Sequence, residues 1–153
     1  MSNPERARQL QSLIREMRRF IANAILFNQQ VADRLGLNAT DYQVLNLLDL
    51  RGQATPGELA ALTGLTTGGV TQALDRLERA GYVRRGENPQ DRRSLLVRPV
   101  PGKLRALQKL YKSIHKGLDR LFASYTGKEV AAILEFFVRA NSSPRPGVRT
   151  RRE

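Results

Sequence analysis

From Glu5 to Leu35 the chain carries neither proline nor glycine, and apolar residues return at helical spacing. Leu10, Leu13, Ile14, Met17, Ile21, Ala24, Ile25, Val31 and Leu35 mark the stripe, and Gly36 is the first breaker. Such a run predicts one helix of about 30 residues, roughly 45 Å long at 1.5 Å per residue. A chain of 153 residues has material for one domain with a core, not for covering a helix of that length from end to end. The stripe therefore predicts another subunit as its cover. Ser2-Asn3-Pro4-Glu5 reads as the capping box that starts the helix, with Pro4 in its first turn.

Beyond Gly36 the punctuation is closer. Asn38 opens a second helix, with Asp41 at its third position, that carries Tyr42, Val44, Leu45, Leu47 and Leu48 and stops at Gly52. Thr55-Pro56-Gly57-Glu58 is a capping box for a short third helix with Leu59, Ala60 and Leu62, ended by Gly64. Thr66 caps a fourth, whose core face is Val70, Ala73, Leu74 and Leu77, with Gly81 just past its end. The period then changes. Tyr82-Val83-Arg84-Arg85 and Ser94 to Val100 read as strands around a polar turn from Gly86 to Arg93, and Pro99 and Pro101 end the second strand. Helical spacing returns near Lys103 with Leu104, Leu107, Tyr111, Ile114, Leu118, Leu121 and Tyr125. Thr126-Gly127-Lys128-Glu129 is a further capping box, opening a sixth helix with Val130, Ile133, Leu134, Phe137 and Val138.

The expected fold is mainly α with a small β-hairpin wing (α+β). An N-terminal dimerisation helix occupies 1–35, a winged helix-turn-helix 36–102, and C-terminal dimerisation helices 103–141. Residues 142–153, with two prolines and four arginines, predict a disordered basic tail.

Lys and Arg number 26 against 14 Asp and Glu, a net charge of +12 that favours a polyanionic partner, nucleic acid or an anionic membrane. No stretch approaches the roughly 18 apolar residues that span a bilayer, and the first residues lack a signal peptide's apolar core. A cytoplasmic protein without a membrane partner is expected. The absence of cysteine removes disulfides, thiolate zinc sites and thiol redox sensing. One histidine and no clustered carboxylates leave little for a catalytic or metal site, so neither enzyme activity nor a cofactor is expected.

Residues 55 to 80 form two helices around the turn Thr63-Gly64-Leu65, the layout of a helix-turn-helix whose second helix enters the major groove of DNA. Opposite its apolar face the fourth helix shows Thr67, Gly68, Thr71, Gln72 and Asp75. Glutamine pairs bidentately with adenine, and threonine meets a thymine methyl or donates a hydrogen bond. Gly68-Gly69 costs the helix about 1 kcal/mol per glycine relative to alanine. Close backbone approach to a phosphate or groove wall is one reason to tolerate that cost, and tight packing against the turn is the other. Arg84, Arg85, Arg92, Arg93 and Arg98 lie in or beside the hairpin against Glu87 and Asp91, and a basic wing suits the minor groove. The candidate DNA-binding set is Thr55, Thr66, Thr67, Gly68, Gly69, Thr71, Gln72, Asp75, Arg76, Arg84, Asp91, Arg92 and Arg93.

Leu74-Asp75-Arg76-Leu77-Glu78-Arg79-Ala80-Gly81-Tyr82-Val83-Arg84-Arg85 resembles the DRLE-x-x-G-hydrophobic-V-x-R run of multiple antibiotic resistance regulators, the MarR family. Asn88-Pro89-Gln90-Asp91-Arg92-Arg93-Ser94 is similar to that family's wing motif, with its D-x-R at Asp91 and Arg93. The resemblance covers roughly residues 10 to 140. It implies a triangular homodimer held by the first, fifth and sixth helices, straddling a pseudo-palindromic operator in double-stranded DNA as a transcriptional repressor. It implies Arg93 in the minor groove braced by Asp91, and the helix from Thr66 in the major groove. It also implies a pocket for a small aromatic carboxylate or phenol, with Met17, Phe20, Tyr42 and His115 as candidates, residue types that core or interface packing more often accounts for at such positions. Two departures stand out: Gln72 where members commonly carry arginine, and Arg98-Pro99-Val100-Pro101 where a polar-Leu-Thr ending is usual, which shifts the start of the fifth helix. The competing reading is an architectural DNA-binding protein without a sensor, motivated by the charge and the tail.

Overall fold

In the computed structural model, which describes residues 4–142, helix α1 (Pro4–Leu35) runs unbroken for 32 residues. It stops at Gly36, whose φ of 67° suits a residue without Cβ. Ser2 and Asn3 of the expected capping box lie outside the described residues, as does the tail from 143 onward. The next three helices begin where the caps predict. For α2 (Ala39–Arg51), Asn38 Oδ1 accepts the Asp41 N–H at 2.8 Å. For α3 (Pro56–Thr63), Thr55 Oγ1 accepts the Glu58 N–H at 3.2 Å, and the Glu58 carboxylate accepts the Thr55 N–H at 2.7 Å. For α4 (Thr67–Arg79), Thr66 Oγ1 accepts the Gly69 N–H at 3.1 Å.

The hairpin is displaced from its expected bounds. Strands β1 (Val83–Glu87) and β2 (Leu95–Pro99) pair antiparallel, from Val83 opposite Pro99 to Glu87 opposite Leu95. Tyr82 is not a strand residue, because its N–H donates back to the Leu77 carbonyl at 2.9 Å and closes the end of α4. Gly86 and Glu87, expected in the turn, extend the ladder. Ala54 exchanges hydrogen bonds of 3.1 and 2.9 Å with Val97, adding a one-residue third rung. Helix α5 (Arg105–Phe122) starts two residues later than Lys103, since the Lys103 and Leu104 amides close turns onto Val100 and Pro101. Tyr125 falls beyond α5 rather than on it, in the link to α6 (Gly127–Ser142). There the Thr126 N–H donates to Glu129 at 2.7 Å, as the capping box predicts.

The core sits in the middle of the chain. Tyr42, Val44, Leu45 and Leu48 of α2 meet Leu59 of α3, Leu74 and Leu77 of α4, and Val83 and Val97 of the hairpin. Each such aliphatic side chain contributes about 1.5–3 kcal/mol by leaving water. Val31 and Ala32 of α1 and Leu104 and Leu107 at the start of α5 join this core. The Tyr82 hydroxyl donates to the Leu35 carbonyl at 3.0 Å, tying the hairpin to the end of α1. Elsewhere the long helices are bare. Leu13, Ile14, Phe20, Ile21 and Ile25 of α1 are exposed, and α6 buries no residue at all.

Candidate nucleic-acid interface

Helix α4 sorts its residues by face. Val70, Ala73, Leu74 and Leu77 are fully buried, whereas Thr67, Gly68, Thr71 and Gln72 are exposed. The N–H groups of Thr67 and Gly68 in its first turn have no acceptor within the helix. Thr71 Oγ1 donates to the Thr67 carbonyl at 3.0 Å, and the Gln72 side chain makes no hydrogen bond among the described residues. The two glycines separate. A Cβ on Gly69 would come within 3.3 Å of Thr66 Oγ1 and 3.7 Å of Leu65 Cβ, whereas one on Gly68 would meet nothing within 4 Å. Tight packing therefore accounts for Gly69 but not for Gly68. Thr55 and Thr66 serve as caps, so their hydroxyls are already engaged.

The arginines fall into two sets. Arg76 donates through Nε and Nη2 to both oxygens of Asp41, at 2.8 and 2.7 Å. That carboxylate is buried and also accepts from Asn38 Nδ2 at 2.9 Å. Arg85 donates through Nη2 to Asp75 at 2.6 Å and through Nη1 to Glu78, and its backbone N–H donates to Glu78 at 3.1 Å. These are charge-assisted bonds that hold helix to helix and strand to helix. Arg84, Arg92 and Arg93 are exposed and have no ion-pair partner among the described residues. Arg98 gives its Nε to Gln53 Oε1 at 3.1 Å and lies directly opposite Arg84 in the ladder. Like charges so placed repel, and an anion between them would relieve the repulsion.

Side chains hold the turn of the wing. Asn88 Oδ1 accepts the Gln90 N–H at 3.1 Å, and Asn88 Nδ2 donates to Ser94 Oγ at 2.8 Å. Asp91 Oδ1 accepts the backbone N–H of Arg93 at 3.0 Å. Asp91 thus fixes the backbone at Arg93 and leaves its guanidinium free.

Of the candidate ligand residues, the structure links two. Tyr42 is buried, its hydroxyl 2.5 Å from that of Tyr111, which in turn donates to Asn46 Oδ1 at 2.9 Å. Burial first, and then the bond to Tyr111, push the Tyr42 phenol well above its ordinary pKa. His115 stacks on Tyr111 with ring centroids 6.4 Å apart, and both line a cleft of about 450 Å³ with Asn46, Asp49, Leu50, Gln108 and Lys112. Met17 and Phe20 lie on α1 and line neither this cleft nor the one of about 340 Å³ beside Tyr42. Among the described residues no three His, Asp or Glu side chains gather as a metal ion would require. No described helix is long and apolar enough to cross a membrane.

Sequence reasoning missed the two arginine locks. Asp75 and Glu78, three apart on one helical face, were the available signal for the lock at Arg85. The Asp41–Arg76 pair spans 35 positions and left no local signal.

Comparison with known proteins yields a consistent set of likenesses. Residues 35–94 match a family model described as MarR family. The chain is 37% identical over 123 residues to YcgE, an uncharacterized HTH-type transcriptional regulator of Bacillus subtilis (strain 168), covering 80% of each chain. It is 31% identical over 100 residues to the multiple antibiotic resistance protein MarR of Salmonella typhimurium, covering 65% of this chain and 69% of that protein. Among solved structures it is similar to a mutant of MarR from E. coli complexed with operator DNA. There the identity is 25%, the coverage 88% and 96%, and the TM-score 0.55.

Proposed function

The chain belongs to the MarR family of winged-helix transcriptional regulators, and from that premise we propose a homodimeric repressor that binds a pseudo-palindromic operator in double-stranded DNA. The observation that carries the reading is a contrast among the polar side chains of α4 and the hairpin. Among the described residues, Arg84, Arg92 and Arg93 of the hairpin have no ion-pair partner and the Gln72 side chain of α4 makes no hydrogen bond, while Arg76 and Arg85 are locked. Free cations suit phosphates and the minor groove, and a free amide suits a base edge.

In this reading α1, α5 and α6 form the dimer, residues 1–35 and 103–141, and residues 36–102 bind DNA. The bare apolar faces of α1 and α6 support the first assignment. The basic residues 142–153 add sequence-independent attraction. Thr67, Gly68, Thr71 and Gln72 face the major groove, and Arg93 enters the minor groove. The cleft at His115 receives a small aromatic acid or phenol, with Lys112 and the Tyr111–His115 stack as its chemistry. Occupying it changes the spacing of the two recognition helices and releases the operator, because the ligand binds one arrangement better than the other. The protein acts in the cytoplasm, and the chemistry of catalysis has no part in its work.

Binding selection from random double-stranded DNA tests this, repeated in the presence of a panel of aromatic acids and phenols. A recovered pseudo-palindrome, bound less well as salt rises, is the expected result. Footprints of uniform coverage with no preferred site would hand the case to the architectural reading.

A further inference from the structure

Adjacent arginines at the start of the hairpin have opposite surroundings. Side chains alternate along a strand, so Arg84 and Arg85 leave β1 on opposite faces. Arg84 is exposed and unpaired, whereas the Arg85 side chain is only 20% exposed and lies against α4. Its Nη2 meets Asp75 at 2.6 Å and reaches the Thr71 carbonyl at 3.5 Å, and its Nη1 meets Glu78. The other Glu78 oxygen takes the Arg85 N–H at 3.1 Å. One residue of the wing thus holds three residues of the recognition helix, Thr71, Asp75 and Glu78, which lie on either side of Gln72 along the chain. Its single positive charge also offsets one of the two negative charges that Asp75 and Glu78 bring to this helix.

We infer that Arg85 contacts no DNA and is instead the positioning residue of the interface, fixing the wing against α4 and partly neutralising the Asp75–Glu78 pair so that a phosphate backbone can approach. This rests on the DNA-binding reading above and sharpens it. Asp75, engaged by Arg85, takes no part in reading bases, and sequence discrimination narrows to Thr67, Gly68, Thr71 and Gln72. A phosphate contact and a positioning contact differ in salt dependence, because only the first releases a counterion.

The test is a salt titration of binding to the selected operator by the full chain, comparing Arg84→Gln, Arg85→Gln and the triple variant Arg85→Gln, Asp75→Asn, Glu78→Gln. Arg85→Gln is expected to weaken binding about tenfold, since orphaned carboxylates then face phosphates. The slope of log K against log salt should stay within about 0.3 of the unaltered protein, whereas Arg84→Gln lowers it by about 0.9. The triple variant, which removes the orphaned charges, should recover most of the tenfold loss. A slope lowered by about 0.9 in Arg85→Gln makes that residue a phosphate contact and overturns the inference. Absence of recovery in the triple variant overturns the neutralising role. Where Arg85→Gln lowers the yield of folded protein, Glu78→Gln reads the same quantities, weaker binding at unchanged slope being expected and unchanged binding being fatal. Absence of any selected site for the unaltered protein overturns the regulator reading itself, and this inference with it.

Discussion

Leu74 on α4 and Leu134 on α6 occupy the same kind of position, an apolar site on an amphipathic helix, yet the first is fully buried and the second is 63% exposed. The difference lies in what each helix finds opposite it. Helix α4 has α2, α3 and β1 of its own chain as neighbours. Helix α6 buries none of its residues, so Val130, Leu134, Phe137 and Val138 make a face without a cover. Amphipathicity thus states that a face is built for burial without stating which chain supplies the other surface. Charges follow the same division: acids near α4 are matched by Arg76 and Arg85, while the tip of the wing keeps its arginines free.

The largest effects should come from the two leucines. Leu74→Ala is expected to cost about 2–5 kcal/mol in urea unfolding, the transfer term plus the cavity left in a packed core. Leu134→Ala is expected to cost the isolated chain less than about 0.5 kcal/mol, because truncating an exposed side chain leaves no void. Its effect should appear in sedimentation as weaker self-association. Equal losses for both at concentrations where the chain is monomeric would break the comparison.

At the DNA face, Gln72→Ala should cost about 1–3 kcal/mol at one base pair in each half-site, read as a change in the base-by-base binding profile. An unchanged profile would move Gln72 to solvent or phosphate. Arg93→Ala should act more gently, lowering the salt slope by about 0.9 and relaxing the preference for a narrow, A/T-rich minor groove. Equal losses on A/T-rich and G/C-rich flanks would remove Arg93 from the groove.

The smallest expected effect is one of acidity. The Thr55 N–H, then its hydroxyl, then Arg51, hold the Glu58 carboxyl below its ordinary value of 4.5. A lowered folded value means the stabilisation is whole above 4.5 and is lost as pH falls through the lowered value. Glu58→Gln should therefore flatten that acid limb of a Tm-against-pH curve. A curve of unchanged shape would show that the capping box adds nothing measurable.

The elements were legible because their signals are local. Asn38, Thr55, Thr66 and Thr126 are followed three residues later by their partners, and the hydrogen bonds form over that distance. The strand bounds were less legible, since Tyr82 has β propensity but its amide is drawn into the end of α4. The candidate site was legible as a surface. Which of its arginines are free was less so: the Asp75–Glu78 face hinted at a lock without naming Arg85 over Arg84, and nothing local marked Arg76.

The amino-acid sequence by itself determined where helices start, which faces are apolar, and that a basic hairpin follows a helix-turn-helix. These follow from caps, periodicity and turn residues, whose interactions reach no further than a helical turn. Only the tertiary structure decided the long pairings: Asp41 with Arg76 across 35 positions, Tyr42 with Tyr111 across 69, and Arg85 with Asp75 across 10. Nothing in chain order selects such partners. They meet because packing of α2, α4, α5 and the hairpin around one core brings their polar ends together, where a buried carboxylate or phenol must find a partner.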